Sequence, residues 1–342
     1  MPRAKKILND PSRAVPELLE GLVAAYGGSM RLLEPTGALA KAHIPEGKVA
    51  LLIGGGSGHE PLFPAFIGDN LADGAACGHV FAAPTPDVIL AATRAVHRGA
   101  GVLYLYGNYA GDNMNFDIAA ELAMEEGIRV ETVRVWDDVA AAPPERLEDR
   151  RGIAGDLFVI KVAGAAAAAL GELGEVARVT AKARDHTRSM GVAVAAGSIP
   201  ETGEPTFELG EDEIEIGMGL HGEPGVARGP MMLADALVDQ MLERILADPP
   251  AGRLESRLFR PGDEVCLLVN DLGSTTWMEL LVACRRAHQV LAREGLQAHD
   301  TVVGSFCTCQ EMAGFSLTLL RLDEELKAYY DAPCSSLGLS RR

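Results

Sequence analysis

The sequence predicts an α/β protein in two domains: an N-terminal three-layer α/β/α domain with a mostly parallel sheet over residues 1–189, then a second α/β domain with a mixed sheet over residues 190–342. Three observations carry this expectation. At 342 residues the chain is long enough for two cores, and its composition of 48% hydrophobic and 23% charged residues is that of a folded protein in water. Apolar runs at residues 49–53 and 102–106 each end in glycine and polar residues and are followed by further α/β patterning, as in a parallel sheet covered on both faces. Near Met190 the pattern changes to strand-like runs broken by Pro, Gly and Glu, with period-2 alternation through Ile214 and Ile216.

In chain order, residues 16–26 carry Leu18, Leu19, Leu22 and Val23 at helical spacing and stop at Gly27-Gly28. The stretch KVALLIGGGSGHEP at residues 48–61 turns an apolar strand into a glycine run. Gly54, Gly55, Gly56 and Gly58 permit positive φ and close approach of backbone N–H groups to a ligand, while Ser57 and His59 add a hydroxyl and an imidazole at the strand end. Ligands bind at such strand ends in open α/β sheets. A plain tight turn is the competing reading. The run is neither a Walker A loop, since no Lys-Ser/Thr pair follows, nor a dinucleotide fingerprint, since His59 stands where the third glycine belongs.

Residues 61–71 are aromatic and proline-broken and read as a loop or short helix over the glycine run. A strand then joins a helix through Pro84-Thr85-Pro86, with Thr85 as its cap. The strand at 102–106 ends in Gly107, Asn108, Gly111 and Asp112, and a helix is expected over residues 119–126. Asp112 either caps that helix or supplies an anionic oxygen to a substrate hydroxyl. A third strand over 129–136 closes in Asp137-Asp138, and residues 150–187 are alanine-rich and helical by propensity. In the second half, helices are expected over 231–246 and 276–294, and strands over 264–271, 300–306 and 315–323. His221 stands between Gly219 and Gly222 in GMGLHGEPG, on close-approach backbone and not on an apolar helical face. It reads either as a structural histidine or as an acid, base or nucleophile.

The net charge of -17 argues against nucleic acid or an anionic membrane as partner, because both would repel this surface. Six cysteines without C-x-x-C spacing indicate neither a metal site nor a disulfide framework, and read as reduced thiols in a cytoplasm. No secretory leader and no run of membrane-span length is present, so the chain is expected to be neither secreted nor spanning.

Taken together, GGGSGHEP at 54–61, GNYAGDNMNF at 107–116, EIGMGLHGEPG at 215–225 and EMAGFSLTLLRLD at 311–323 closely resemble the substrate-binding K subunit of dihydroxyacetone kinases, over nearly the whole chain. The resemblance implies a homodimer of two-domain protomers and phosphorylation of a short-chain ketose. It implies no cofactor on this chain itself: phosphate would come from ATP or ADP with Mg on a separate L subunit. By motif position, His221 matches the histidine that adds to the substrate carbonyl as a hemiaminal, His59 the general base, and Asp112 the aspartate that hydrogen-bonds the substrate. Gly56, Ser57, Gly58 and Gly107 would complete the substrate contacts. The match departs from dihydroxyacetone-specific members at Gly107, where they carry lysine, in the loop after Pro61, and at Ala82 or Ala83 in place of a hydroxyl residue. Loss of a long cation enlarges the site, which leaves the ketose open between dihydroxyacetone and a longer one such as erythrulose. The alternative is a non-catalytic regulatory paralogue that binds ketose or a transcription factor; retention of His59, Asp112 and His221 together favours the enzyme.

Overall fold

The computed structural model describes residues 4–342; residues 1–3, the start of the expected first domain, lie outside the described residues. After helix α1 (Ala14–Ala25), six strands form the first sheet: β1 (Met30–Leu32), β2 (Ala38–Lys41), β3 (Ala50–Ser57), β4 (Gly74–Val80), β5 (Val102–Gly107) and β6 (Val130–Val135), in the order β1-β2-β4-β3-β5-β6. Strands β4, β3, β5 and β6 are parallel, and only β1 and β2 run against their neighbours. Alternation sorts the side chains of β5: Tyr104 and Tyr106 pack under α2 (Pro86–Val96) and α3 (Ala110–Glu125), while Leu103 and Leu105 face α4 (Asp156–Ala169) and α5 (Leu173–Asp185). That is the expected α/β/α sandwich with a mostly parallel sheet.

The second sheet is mixed, also as expected. Its strands are β7 (Thr187–Ala195), β8 (Glu213–Ile216), β9 (Ala227–Pro230), β10 (Glu264–Asp271), β11 (Gln297–Gly304) and β12 (Ala313–Leu322), in the order β11-β10-β12-β7-β8-β9. Only β10 and β11 are parallel. On β10, Val265, Leu267 and Val269 pack against α6 (Ala234–Ala247) and α7 (Trp277–Arg293). Cys266 and Leu268 face the other way, into the same apolar cluster as α4 and α5. The two sheets therefore share one helical layer. Helix α4 is buried on all sides over twelve residues, which suits its run of Val, Ile and Ala. Helix α8 (Glu324–Tyr330) and the small hairpin of β13 (Cys334–Ser335) and β14 (Ser340–Arg341) return the chain to the first half, where Ser335 bridges to Asp69.

Several expectations need adjustment. A division between residues 189 and 190 falls inside β7, because the pattern change at Met190 marks the middle of a strand whose first residue is Thr187. Strand β3 continues through Gly54–Gly56 to Ser57, with a register shift against β4 between Gly55 and Ser57, and of the glycine run only Gly58 has positive φ, at 101°. The glycines are there for closeness instead: a Cβ on Gly54 would stand 2.4 Å from the Ala76 carbonyl oxygen, and one on Gly55 2.4 Å from Phe63 Cε2. Helix α3 begins at Ala110, well before residue 119, so Asp112 sits inside its first turn and caps nothing by side chain. Thr85 occupies the N-cap of α2, but its hydroxyl goes to Asp87 and not to the helix backbone. Thr276, by contrast, forms a full capping box with Glu279 at the start of α7. All six cysteines are unpaired. Among the described residues no helix is long and apolar enough to cross a membrane.

Candidate active site

Strands β3 and β5 are neighbours, and their C-terminal ends open on one small cavity. Gly54, Gly55, Gly56 and His59 line it from β3 and the turn beyond, and Gly107, Tyr109 and Asp112 line it from β5 and the first turn of α3. Gly152 and Asp156 arrive from the start of α4, and Leu220 and His221 from the loop after β8. Its volume is about 20 Å³, room for roughly one water.

Of the residues expected from sequence, Gly56, His59, Gly107, Asp112 and His221 thus meet here. Ser57 and Gly58 do not line the cavity. The Ser57 hydroxyl donates to the Gly78 carbonyl at 2.7 Å, and the Gly58 N–H donates to the Glu60 carboxylate at 3.0 and 3.1 Å. Both hold the turn that presents His59.

The two histidines touch. Nε2 of His59 lies 3.0 Å from Nε2 of His221, with ring centroids 4.9 Å apart. Nδ1 of His59 lies 2.7 Å from the Thr308 carbonyl oxygen, which only accepts, so Nδ1 carries the proton and Nε2 the lone pair. Burial, then the neighbouring His221, push the His59 ring down to about 3, so it is neutral near pH 7. On the far side of His221, Glu223 grips the residue twice: Oε1 lies 2.9 Å from Nδ1, and Oε2 accepts the backbone N–H at 2.8 Å. Burial alone would raise the Glu223 carboxyl, but the His221 hydrogen bonds and charge outweigh it and bring it down to about 2. A carboxylate there requires a proton on Nδ1, and contact with the His59 lone pair requires one on Nε2. The hydrogen-bond pattern therefore offers each ring nitrogen of His221 an acceptor, Glu223 at Nδ1 and the His59 lone pair at Nε2.

Asp112 is 8% exposed and its Oδ1 has no hydrogen-bond partner. Burial raises its carboxyl to about 7, with His221 opposing. Phe81 and Tyr109 close over the pair, with ring centroids 5.5 and 4.9 Å from that of His221. Phe81 holds φ at 55°, unusual for an aromatic residue, with its N–H on the Ser57 carbonyl at 2.8 Å. The loop carrying His221 is tied to the first half by Arg151, which donates to Asp138 at 2.7 Å and to the Gly217 carbonyl at 3.1 Å.

Sequence reasoning passed over Glu223, Thr308, Phe81, Tyr109 and Asp156. Glu223 did carry a signal: HGEP at 221–224 repeats the HEP of 59–61 with one glycine inserted, and in both places the glutamate accepts a backbone N–H two residues before it. Among the described residues no cluster of three or more His, Cys, Asp or Glu side chains could hold a metal ion.

Comparison with known proteins bears on what this cavity is for. The Dak1 domain model matches residues 20–338. The chain is 43% identical over 334 residues, 97% of its own length and 98% of the relative's, to the dihydroxyacetone-binding subunit DhaK of PTS-dependent dihydroxyacetone kinase 2 of Listeria innocua. It is 40% identical over 330 residues to the L-erythrulose kinase of Pectobacterium atrosepticum, where the match covers 96% of this chain but 55% of the relative. Among solved structures, the dihydroxyacetone kinase of C. freundii superposes with a TM-score of 0.87 at 30% identity, over 98% of this chain and 60% of that one. A dihydroxyacetone kinase operon co-activator, Dha-DhaQ, gives a TM-score of 0.87 at 30% identity, over 96% of this chain and 99% of that one.

Proposed function

This chain belongs to the Dak1 domain family, and from that premise we propose that it is the ketose-binding subunit of a short-chain ketose kinase, holding its substrate covalently on His221. The observation that carries the reading is the His59–His221 contact beside Asp112 in a closed cavity at adjoining strand ends. Dihydroxyacetone and erythrulose are the candidate ketoses, as they are in the names of its relatives.

Capture would proceed as follows. The Nε2 proton of His221 leaves to the carbonyl oxygen as Nε2 bonds to the carbonyl carbon and the C=O π bond breaks. The product is a hemiaminal with a new hydroxyl. The alkylated ring keeps its Nδ1 proton and its positive charge, facing the Glu223 carboxylate at 2.9 Å. The substrate carbon takes the place His59 now occupies beside Nε2, so the two rings separate on capture and the cavity widens. The neutral His59 Nε2 then accepts the new hydroxyl. Polyols without a carbonyl are excluded by the absence of an electrophilic carbon.

For the transfer step a base must take the proton of the attacking terminal hydroxyl. The resemblance gave that part to His59. We assign it to Asp112 instead: His59 Nε2 is taken up by the new hydroxyl, whereas Asp112 lines the cavity with Oδ1 unpartnered and burial raises its carboxyl to about 7, which suits proton transfer near neutral pH. Phosphate would come from ATP or ADP with Mg on a separate L subunit. A homodimer in the cytoplasm belongs to the same proposal.

A second reading, a regulatory paralogue, draws on the likeness to the operon co-activator. The solved kinase and the co-activator match equally, each with a TM-score of 0.87 at 30% identity, and it is the retention of His59, Asp112 and His221 together that favours the enzyme. The deciding experiment incubates the chain with dihydroxyacetone and erythrulose carrying 13C at the carbonyl. A new tetrahedral-carbon resonance, absent in His221→Ala, is expected, followed by phosphorylation when an L subunit and nucleotide are added. Capture without transfer in the presence of any L subunit would favour the regulator, and no adduct with either ketose would overturn the ketose kinase and leave a paralogue that binds a transcription factor.

A further inference from the structure

Capture and transfer use His59, Asp112, His221 and Glu223, and leave one buried carboxyl of the same cavity without a task. Asp156 is the first residue of α4 and is 2% exposed. It lines the cavity together with Gly107, Asp112 and His221. Its Oδ1 has no hydrogen-bond partner, and the Tyr109 hydroxyl and Asp112 Oδ1 have none either. Buried polar atoms are ordinarily paired. Three unpaired ones on residues lining one cavity describe a place for a ligand with several hydroxyl groups.

Gly107 is the reason Asp156 is open. A Cβ at residue 107 would stand 3.3 Å from Asp156 Oδ2 and 3.4 Å from Tyr109 Cε2. Any side chain there would lie across the carboxyl, and a cationic one would pair with it. Neighbouring Asp137 cannot take this role, because its two oxygens already accept the N–H groups of Ile153 and Gly155 at 2.8 Å each.

We propose that Asp156 is the specificity-determining residue of the site: its carboxyl receives the hydroxyl that a four-carbon ketose carries beyond a three-carbon one, so the cavity prefers a tetrulose to dihydroxyacetone. The proposal rests on the ketose-binding reading above. Burial, with Asp137 and Asp112 close by, holds the Asp156 carboxyl well above the usual carboxylate range, which favours its protonated form. A protonated carboxyl both donates and accepts, which suits a neutral hydroxyl better than a cation or an anion. With a triose bound, the carboxyl stays unpaired, and a site built to bond a hydroxyl discriminates against the analogue lacking it.

The test is the ratio of dissociation constants for erythrulose and dihydroxyacetone, read by calorimetry and by the adduct resonance, in the full chain and in three variants. The unaltered chain is expected to bind erythrulose more tightly by about tenfold or more, the scale of one buried hydrogen bond to a group otherwise left unpaired. Asp156→Ala should bring the ratio near one, chiefly by weakening erythrulose. Asp156→Asn keeps a donor, an acceptor and the volume, and should keep most of the preference. Gly107→Lys should reverse it by covering the carboxyl. Should Asp156→Ala fail to fold, the other two decide. Equal or tighter binding of dihydroxyacetone by the unaltered chain, or an unchanged ratio in both Asp156→Ala and Gly107→Lys, overturns the proposal and leaves ketose capture standing. Absence of an adduct with either ketose removes the premise itself.

Discussion

The carbonyl oxygen of Thr308 lies 2.7 Å from Nδ1 of His59, so a loop of the second sheet decides which nitrogen of a first-sheet histidine carries its proton. His221 is fixed in the same manner from its own loop by Glu223. The two imidazoles face one another because each is pinned from behind, His59 by a carbonyl 249 residues away and His221 by a carboxylate two residues on.

Glu223→Gln should keep the fold and slow capture. The amide oxygen can accept from Nδ1 or from the His221 backbone N–H but not both, and the side chain no longer balances a positive ring. Loss of a charge-assisted hydrogen bond lowers the adduct formation constant by roughly 10- to 100-fold. Titration with labelled ketose measures it, and an unchanged constant would show that the ring carries no charge after capture.

Asp112→Asn should be more stable than the parent above neutral pH. The Asp112 carboxyl ordinarily titrates near 3.8, and in the fold near 7. Between those values the folded state binds a proton that the unfolded state lacks, so this group's contribution falls as pH rises through the window. At pH 8 the substitution is expected to raise stability by roughly 2–4 kcal/mol, with the difference vanishing near pH 4. Denaturant midpoints at both pH values check this. The same variant should bind ketose and lose phosphoryl transfer together with any rate limb near pH 7.

Gly54→Ala should destabilise the fold by about 1–3 kcal/mol or more. Its Cβ would press at 2.4 Å on the Ala76 carbonyl oxygen of β4 and at 2.9 Å on Phe116, and backbone in a paired strand cannot step aside. A chemical melt of the variant gives the value directly; an unaltered midpoint would mean that β3 and β4 part without cost.

Asp248→Ala should cost about 3–5 kcal/mol. Asp248 accepts from Arg150 at 2.6 and 2.9 Å and also from Arg188, and both guanidinium groups are fully buried. Removing the carboxylate strands two charges away from water. Thermal unfolding of the variant tests the figure, and Asp248→Asn, which keeps the acceptor oxygen but not the charge, should fall between.

Much of this was legible in the sequence. Local patterning placed β10 and the limits of α7 almost to the residue, and the strand-end logic put His59 and Asp112 at one edge, where the resemblance added His221 and where all three line one cavity. What escaped depends on distance along the chain. Thr308 reaches His59 across 249 residues, and nothing local marks it. Asp156 sits in an alanine-rich helical stretch where an acidic residue at the first turn looks like ordinary end chemistry. The glycine run was seen but its reason was not: spacing cannot distinguish a residue chosen for its dihedral angles from one chosen because a neighbouring strand leaves no space.

The helical layer that both sheets share has a bearing on how the molecule comes apart. Helix α4 has no face suited to water, since Leu157 through Ala167 are all buried. If either sheet peeled away first, it would leave that helix wetted along one side, a loss neither half could absorb alone. The two halves should therefore melt together, as one heat-absorption peak, although the chain contains two sheets that would ordinarily count as separate folding units.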